Sequence, residues 1–229
     1  MKINIEINRK EYDDLPDHIK ENLMEHKYYD VEEILFENEF YEFLQEVKDK
    51  YDYSIDKEDL NYSFGGRGDY ISLKGSAFSN LFYQALGKRC GDNADYILDV
   101  ELDLRSFGVG YNDFPHVGIE GTPRRAIFVN ITADCPEEIE KNILEKADEL
   151  YEEIYDTFLK GYKRLSNITS EVPDIAEQEL KNQYYYLNDA KGLMLILHKD
   201  DFENEQEADK FAKKELSKIY NNKKTKLTL

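Results

Sequence analysis

From residue 139 to residue 165 the chain repeats a single apolar stripe of Ile139, Ile143, Ala147, Leu150, Ile154, Phe158 and Leu165. Steps of three, four and seven place successive side chains on one face of a helix with 3.6 residues per turn. Asp134 and Glu137 have the spacing of a capping box, and Pro136 falls in the first turn it would open. Tyr151, Tyr155 and Tyr162 run beside the stripe. A helix over about 135–165 rises ~1.5 Å per residue, so it is about 45 Å long and can lie across a whole sheet. A one-sided element of that length needs a broad apolar surface to cover it.

Strand signals supply that surface. Residues 2–7 alternate with Ile3, Ile5 and Ile7 on one side. Residues 60–75, LNYSFGGRGDYISLKG, read as a strand, a glycine turn and a second strand. Residues 96–106 alternate through Ile97, Val100, Leu102 and Leu104. Residues 108–114 then read as a turn and 116–120 as a short strand. The dense run 126–132, AIFVNIT, is expected at the centre of the sheet, and 193–198, LMLILH, reads as a last strand.

Further helices are expected from Asp14 to about Lys27, from about Asp30 to Tyr51, over 77–87 closed by Gly87, from Pro173 to about Leu187, and over 204–220. The second of these places Val31, Ile34, Leu35, Tyr41, Leu44 and Val47 near helical spacing. The order predicts an α+β fold, a mainly antiparallel sheet covered by helices with the long helix across it. Residues 1–192 read as one domain, and 193–229 as a strand–helix addition with a basic tail.

Charge narrows the function classes. The chain has 30 Lys+Arg against 49 Asp+Glu, a net charge of −19. Residues 1–60 hold 19 acidic and 8 basic side chains, a balance of −11, so more than half the net charge sits in the first quarter. Such a surface repels nucleic acid and anionic membranes and attracts basic partners. No apolar run is long enough to span a membrane, and the N-terminus lacks a signal-peptide pattern, so a soluble cytoplasmic protein is expected. Cys90 and Cys135 form neither a metal-spacing motif nor a disulfide framework.

No catalytic residue, cofactor or metal site is read from the chain. His18, His26, His116 and His198 are scattered, and no nucleophile elbow or Cys–His arrangement is present. Gly65, Gly66, Arg67 and Gly68, with Asp69 and Tyr70, form a turn that could cradle an anion in a backbone nest. The turn lacks the Lys-Ser/Thr of a P-loop and the context of a dinucleotide fingerprint. Arg124 and Arg125 read as a loop anchoring carboxylates of the long helix.

The hairpin also carries a family likeness. Tyr62, Ser63, Phe64, Gly68, Asp69, Ser72 and Gly75 match a Y-F-S-G-F-x-S-Q-G-D-G-A-S-F-x-G segment that follows two acidic helices. The chain thereby resembles a family of phage-encoded proteins, some labelled "antitoxin of toxin–antitoxin stability system". Residues 14–21 resemble the family's first-helix opening, and Tyr28-Tyr29 or Phe40-Tyr41 echo its aromatic doublet. Residues 150–155 with 160–162 are similar to its I-Y-x-x-L-x-x-x-Y-x-Y helix, and 184–187 to its terminal E-Y-x-F. Arg67, Tyr70 and Leu73 depart from the pattern. The resemblance covers roughly 10–192, implies a phage or prophage origin and brings no catalytic residues.

Charge and resemblance together lead to an expected function: a non-enzymatic inhibitor that binds a host defence or nucleic-acid-handling protein. Its acidic N-terminal helices would mimic a nucleic acid backbone in a basic groove. The expected contacts are Asp30, Glu32, Glu33, Glu37, Glu39, Glu42 and Glu46. One alternative is an antitoxin-like or assembly module with an aromatic surface through Tyr28, Tyr29, Tyr151 and Tyr155. The other is a metal-dependent nucleic acid enzyme, since the abundant carboxylates single out no pair. The sequence leaves the oligomeric state open.

Overall fold

The computed structural model describes residues 8–64, 69–110, 123–188 and 192–225. The strand expected at 116–120, the strand expected at 2–7 and the turn residues Gly65, Gly66, Arg67 and Gly68 lie outside them. Among the described residues the fold is α+β, with three small antiparallel sheets and two long helices. The chain divides into two compact units, one of residues 1–33 with 171–229, the other of residues 34–170.

In the first unit, β1 (Asn8–Lys10), β7 (Gln183–Asn188) and β8 (Gly192–His198) form a sheet with β7 in the middle. Strand periodicity sorts the tyrosines of β7. Tyr184 and Tyr186 pack on Ala208, Ala212 and Leu216 of helix α4 (Glu205–Thr225). Tyr185 points the other way, into a cluster with Tyr12, Leu15 and Leu180. Both faces of β7 are therefore buried, and residues 184–187, expected as a helix end, are strand. An apolar run of that length satisfies either period, and the tertiary partners choose.

The second unit holds two sheets. In one, β3 (Tyr70–Lys74) lies between β2 (Leu60–Ser63) and β5 (Ser106–Gly110). The expected hairpin is present: Leu60 faces Leu73 and Ser63 faces Tyr70. β5 replaces the expected turn at 108–114 for as far as the described residues reach. In the other sheet, β4 (Ile97–Leu102) pairs with β6 (Ile127–Ile131). Among the described residues the run at 126–132 is thus half of a two-stranded ribbon rather than the centre of a large sheet, with Phe128 left exposed.

Helix α2 (Gly75–Cys90) buries Phe78, Leu81, Phe82 and Leu86, and Phe78 stacks on Phe107 of β5 at 4.2 Å. It continues past Gly87 and ends at Gly91, which takes φ +57 and donates its N–H to the Gly87 carbonyl.

Two helices are longer than the sequence suggested. The pair expected between Asp14 and Tyr51 is one helix, α1 (Asp17–Tyr51). The pair expected on either side of Pro173 is also one helix, α3 (Glu137–Lys181). In α3 the stripe of buried Ile143, Ala147, Leu150, Ile154, Phe158 and Leu165 runs on through Ile168, Val172, Ala176 and Leu180 without losing phase. Pro173 is exposed on the outer side. The helix begins at Glu137, so Pro136 precedes the first turn. Its carbonyl accepts the N–H groups of Ile139 and Glu140 at 2.9 Å, while Glu137, Glu138 and Glu140 favour the positive end of the dipole.

Candidate functional site

Between Lys27 and Lys48, helix α1 carries seven carboxylates and no cation. These are Asp30, Glu32, Glu33, Glu37, Glu39, Glu42 and Glu46, and the structure divides them by orientation. The inward side of the helix in the second unit is set by Phe40, Phe43 and Val47, all buried. Phe43 meets Phe158 of α3 edge-on at 5.2 Å, and Phe40 lies 5.0 Å from Tyr62 of the hairpin. That packing fixes the rotation of the helix.

Glu39 and Glu46, seven residues apart and so on one side, both turn to Arg164 of α3. Its Nη2 donates to Glu46 Oε2 at 2.9 Å, and its Nε lies 3.4 Å from Glu39 Oε2. These two carboxylates, each about a third exposed, tie α1 to α3 through Arg164, whereas the other five are not bound in this way. Arg164 is the residue that reading from sequence missed, since nothing local marks its pairing 118 residues away.

The remaining five have no ion pair among the described residues. Glu37 and Glu42 are exposed, as are Asp30 and Glu33 on the preceding turns, and Glu32 is half-buried. Beside Glu37 and Glu42 stand Ile34 and Tyr41, each 58% exposed. Both had the spacing of core residues, yet the stripe that packs is Phe40, Phe43 and Val47. The Lys57 ammonium lies 5.9 Å from the Tyr41 ring centroid, so the face of that ring already accepts one cation.

The aromatic alternative divides in the same way. Tyr151 is buried at 7% exposure, perpendicular to Phe107 at 6.5 Å and 6.0 Å from Tyr155. Burial, Glu152 and Tyr155 push its hydroxyl up to about 12. It is a core residue, not part of a docking face. Tyr29 is 62% exposed, and Tyr28 is half-buried beside it.

The hairpin aromatics also have packing partners. Phe64 lies 5.2 Å from Phe36 of α1 and 6.0 Å from Tyr162 of α3. Of the proposed ligand turn, Tyr70 pairs with Gly110 and Ser63 in the sheet, Asp69 immediately precedes it, and the rest lies outside the described residues. Arg124 does anchor α3, its Nε donating to Asp148 Oδ1 at 2.6 Å.

A cleft of about 750 Å³ at the start of α2 is lined by Ser76, Ser79, Glu101, Asp103, Arg105 and Phe128. Its charges are of both signs. Among the described residues, no three His, Cys, Asp or Glu side chains converge as a metal site, and no helix is long and apolar enough to cross a membrane. Comparison of the chain with protein-family models, with curated proteins and with solved structures finds no match.

Proposed function

We propose that this chain is a non-enzymatic inhibitor that docks on a host protein with a basic, nucleic-acid-handling surface through the outward side of α1. The observation that carries the reading is the mixed character of that side. Exposed Glu37 and Glu42 stand among exposed Ile34 and Tyr41, on a helix with no cation from residue 28 to 47. Carboxylates steer a basic cleft toward the helix and set its register. The Ile and Tyr side chains supply apolar area that shields the charge pairs from water once docked. The likeness to phage-encoded proteins makes a host defence or nucleic acid enzyme the partner class.

The test is affinity capture from host lysate at low and high salt, comparing the wild type with Glu37→Gln/Glu42→Gln. We expect capture of a basic nucleic-acid-handling protein at low salt, with severalfold less by the double variant and by wild type at high salt. Equal capture by both proteins at both salts would refute the reading.

A further inference from the structure

We infer that a groove in the first unit takes a cationic side chain of the partner, an arginine in preference to a lysine. The inference rests on the docking reading above, because it assigns an anchor to the same basic partner. The groove holds about 530 Å³ and is lined by Tyr12, Lys20, Glu21, Met24, Glu25, Tyr28 and Tyr29. That volume is within the range of small-ligand pockets.

Its floor is rigid. Tyr12 is buried, with its ring 6.2 Å from that of Tyr185, and the Tyr185 hydroxyl donates to the Leu180 carbonyl at 2.8 Å. Its wall is aromatic. Tyr28 and Tyr29 meet edge to face at 5.9 Å and 85°, and Met24 beside them packs on the Tyr12 cluster. Spacing of four along one helix face brings Lys20, Met24 and Tyr28 to the same side, and Glu21 and Glu25 to its rim.

The charges around the groove are unequal in their commitments. The Lys20 ammonium donates to the Asp13 carbonyl at 2.6 Å, Lys27 pairs with Glu179, and Lys181 pairs with Glu177 at 2.6 Å. Lys27 and Lys181 are thus each paired with a carboxylate, and Lys20 is held by a backbone carbonyl. Glu21 and Glu25 are exposed and have no ion pair among the described residues. Glu32 lies close enough to Tyr28 to push its hydroxyl further up, after burial.

An apolar aromatic trough with uncommitted carboxylates at its lip suits a delocalised cation. The guanidinium stacks on a tyrosine face while its edge donates to a carboxylate. A neutral apolar side chain would leave the two glutamates without a partner, and an anion would be repelled by them.

The test uses the full chain and two short peptides, acetyl-Gly-Arg-Gly-Arg-Gly-amide and its counterpart with neutral citrulline in place of arginine. Binding is followed through the Met24 methyl and the Tyr28 and Tyr29 ring resonances. The arginine peptide is expected to move these signals and to bind at least about fivefold more tightly than the citrulline peptide. Tyr28→Leu and Glu21→Gln/Glu25→Gln, each checked for unchanged melting, are expected to remove most of that preference. Equal binding of the two peptides would overturn the inference, as would arginine-dependent shifts confined to residues 34–42. Neither result touches the docking reading, which stands or falls on capture by the Glu37/Glu42 variant.

Discussion

At the scale of single residues, one close approach depends on a missing side chain. Gly161 of α3 sits against Phe43, and a Cβ at that position would run into the ring. Phe43 has no room to retreat, because it is fully buried and wedged against Phe158. In an open helix position, replacing Gly by Ala stabilises by about 1 kcal/mol. Here overpacking of about 1–3 kcal/mol opposes that gain. Gly161→Ala is therefore expected to destabilise by about 1 kcal/mol, read as a lower urea midpoint. A raised midpoint would mean that the ring can move aside. Residues 160–162 were visible as a motif from sequence, but nothing local told that the glycine faces Phe43 from 118 residues away.

At the scale of elements, the two long helices show what periodicity reveals and what it hides. The stripe of α3 was legible from Ile139 to Leu165. Its continuation through Ile168, Val172, Ala176 and Leu180 is masked in the sequence by Pro173, which removes an N–H and crowds the preceding turn. Burial of the continuing stripe outweighs that cost, and Pro173 lies on the side away from it. Pro173→Ala should restore the missing donor and stabilise by about 2 kcal/mol, net of the freedom it returns to the unfolded chain. Thermal melting checks this, and a fall in melting temperature would show that the fixed φ of proline matters more than its absent N–H. In α1 the apparent break at Tyr28-Tyr29 has no local breaker behind it: no Gly or Pro occurs between Asp17 and Tyr51. Within the continuous helix Tyr28 packs half-buried and Tyr29 faces solvent.

At the scale of the whole molecule, stability must be held against a net charge of −19, and specific pairs do part of that. In the second unit, burial of Glu153 works against its charged form. The hydrogen bond and charge of Arg89, joined by Lys50, outweigh it and hold the carboxyl below its ordinary value. A depressed carboxylate contributes stability above the ordinary carboxylate range and loses it as pH falls through the lowered value. Glu153→Gln should therefore lower the urea midpoint at pH 7, with the gap to wild type closing as pH falls below the ordinary carboxylate range. A gap that stays constant with pH would assign the effect to packing. The neighbouring Thr157 hydroxyl, 3.0 Å from both the Tyr51 hydroxyl and the Lys50 ammonium, joins this partly exposed charge cluster to the core.

The sequence by itself determined the α+β class, the hairpin at 60–75, the stripe of α3 and the crowding of carboxylates on α1. All of these depend on local spacing and side-chain charge. Only the tertiary structure decided which carboxylates stay available. Arg164 claims Glu39 and Glu46, while Phe40, Phe43 and Val47 turn Glu37, Glu42, Ile34 and Tyr41 outward. It also decided that Tyr151 is core and that Tyr184–Tyr186 form a strand. The physical reason is the same in each case. A residue's spacing fixes which neighbours share its face, but the identity of what covers that face comes from other segments, from about 20 to more than 100 residues away.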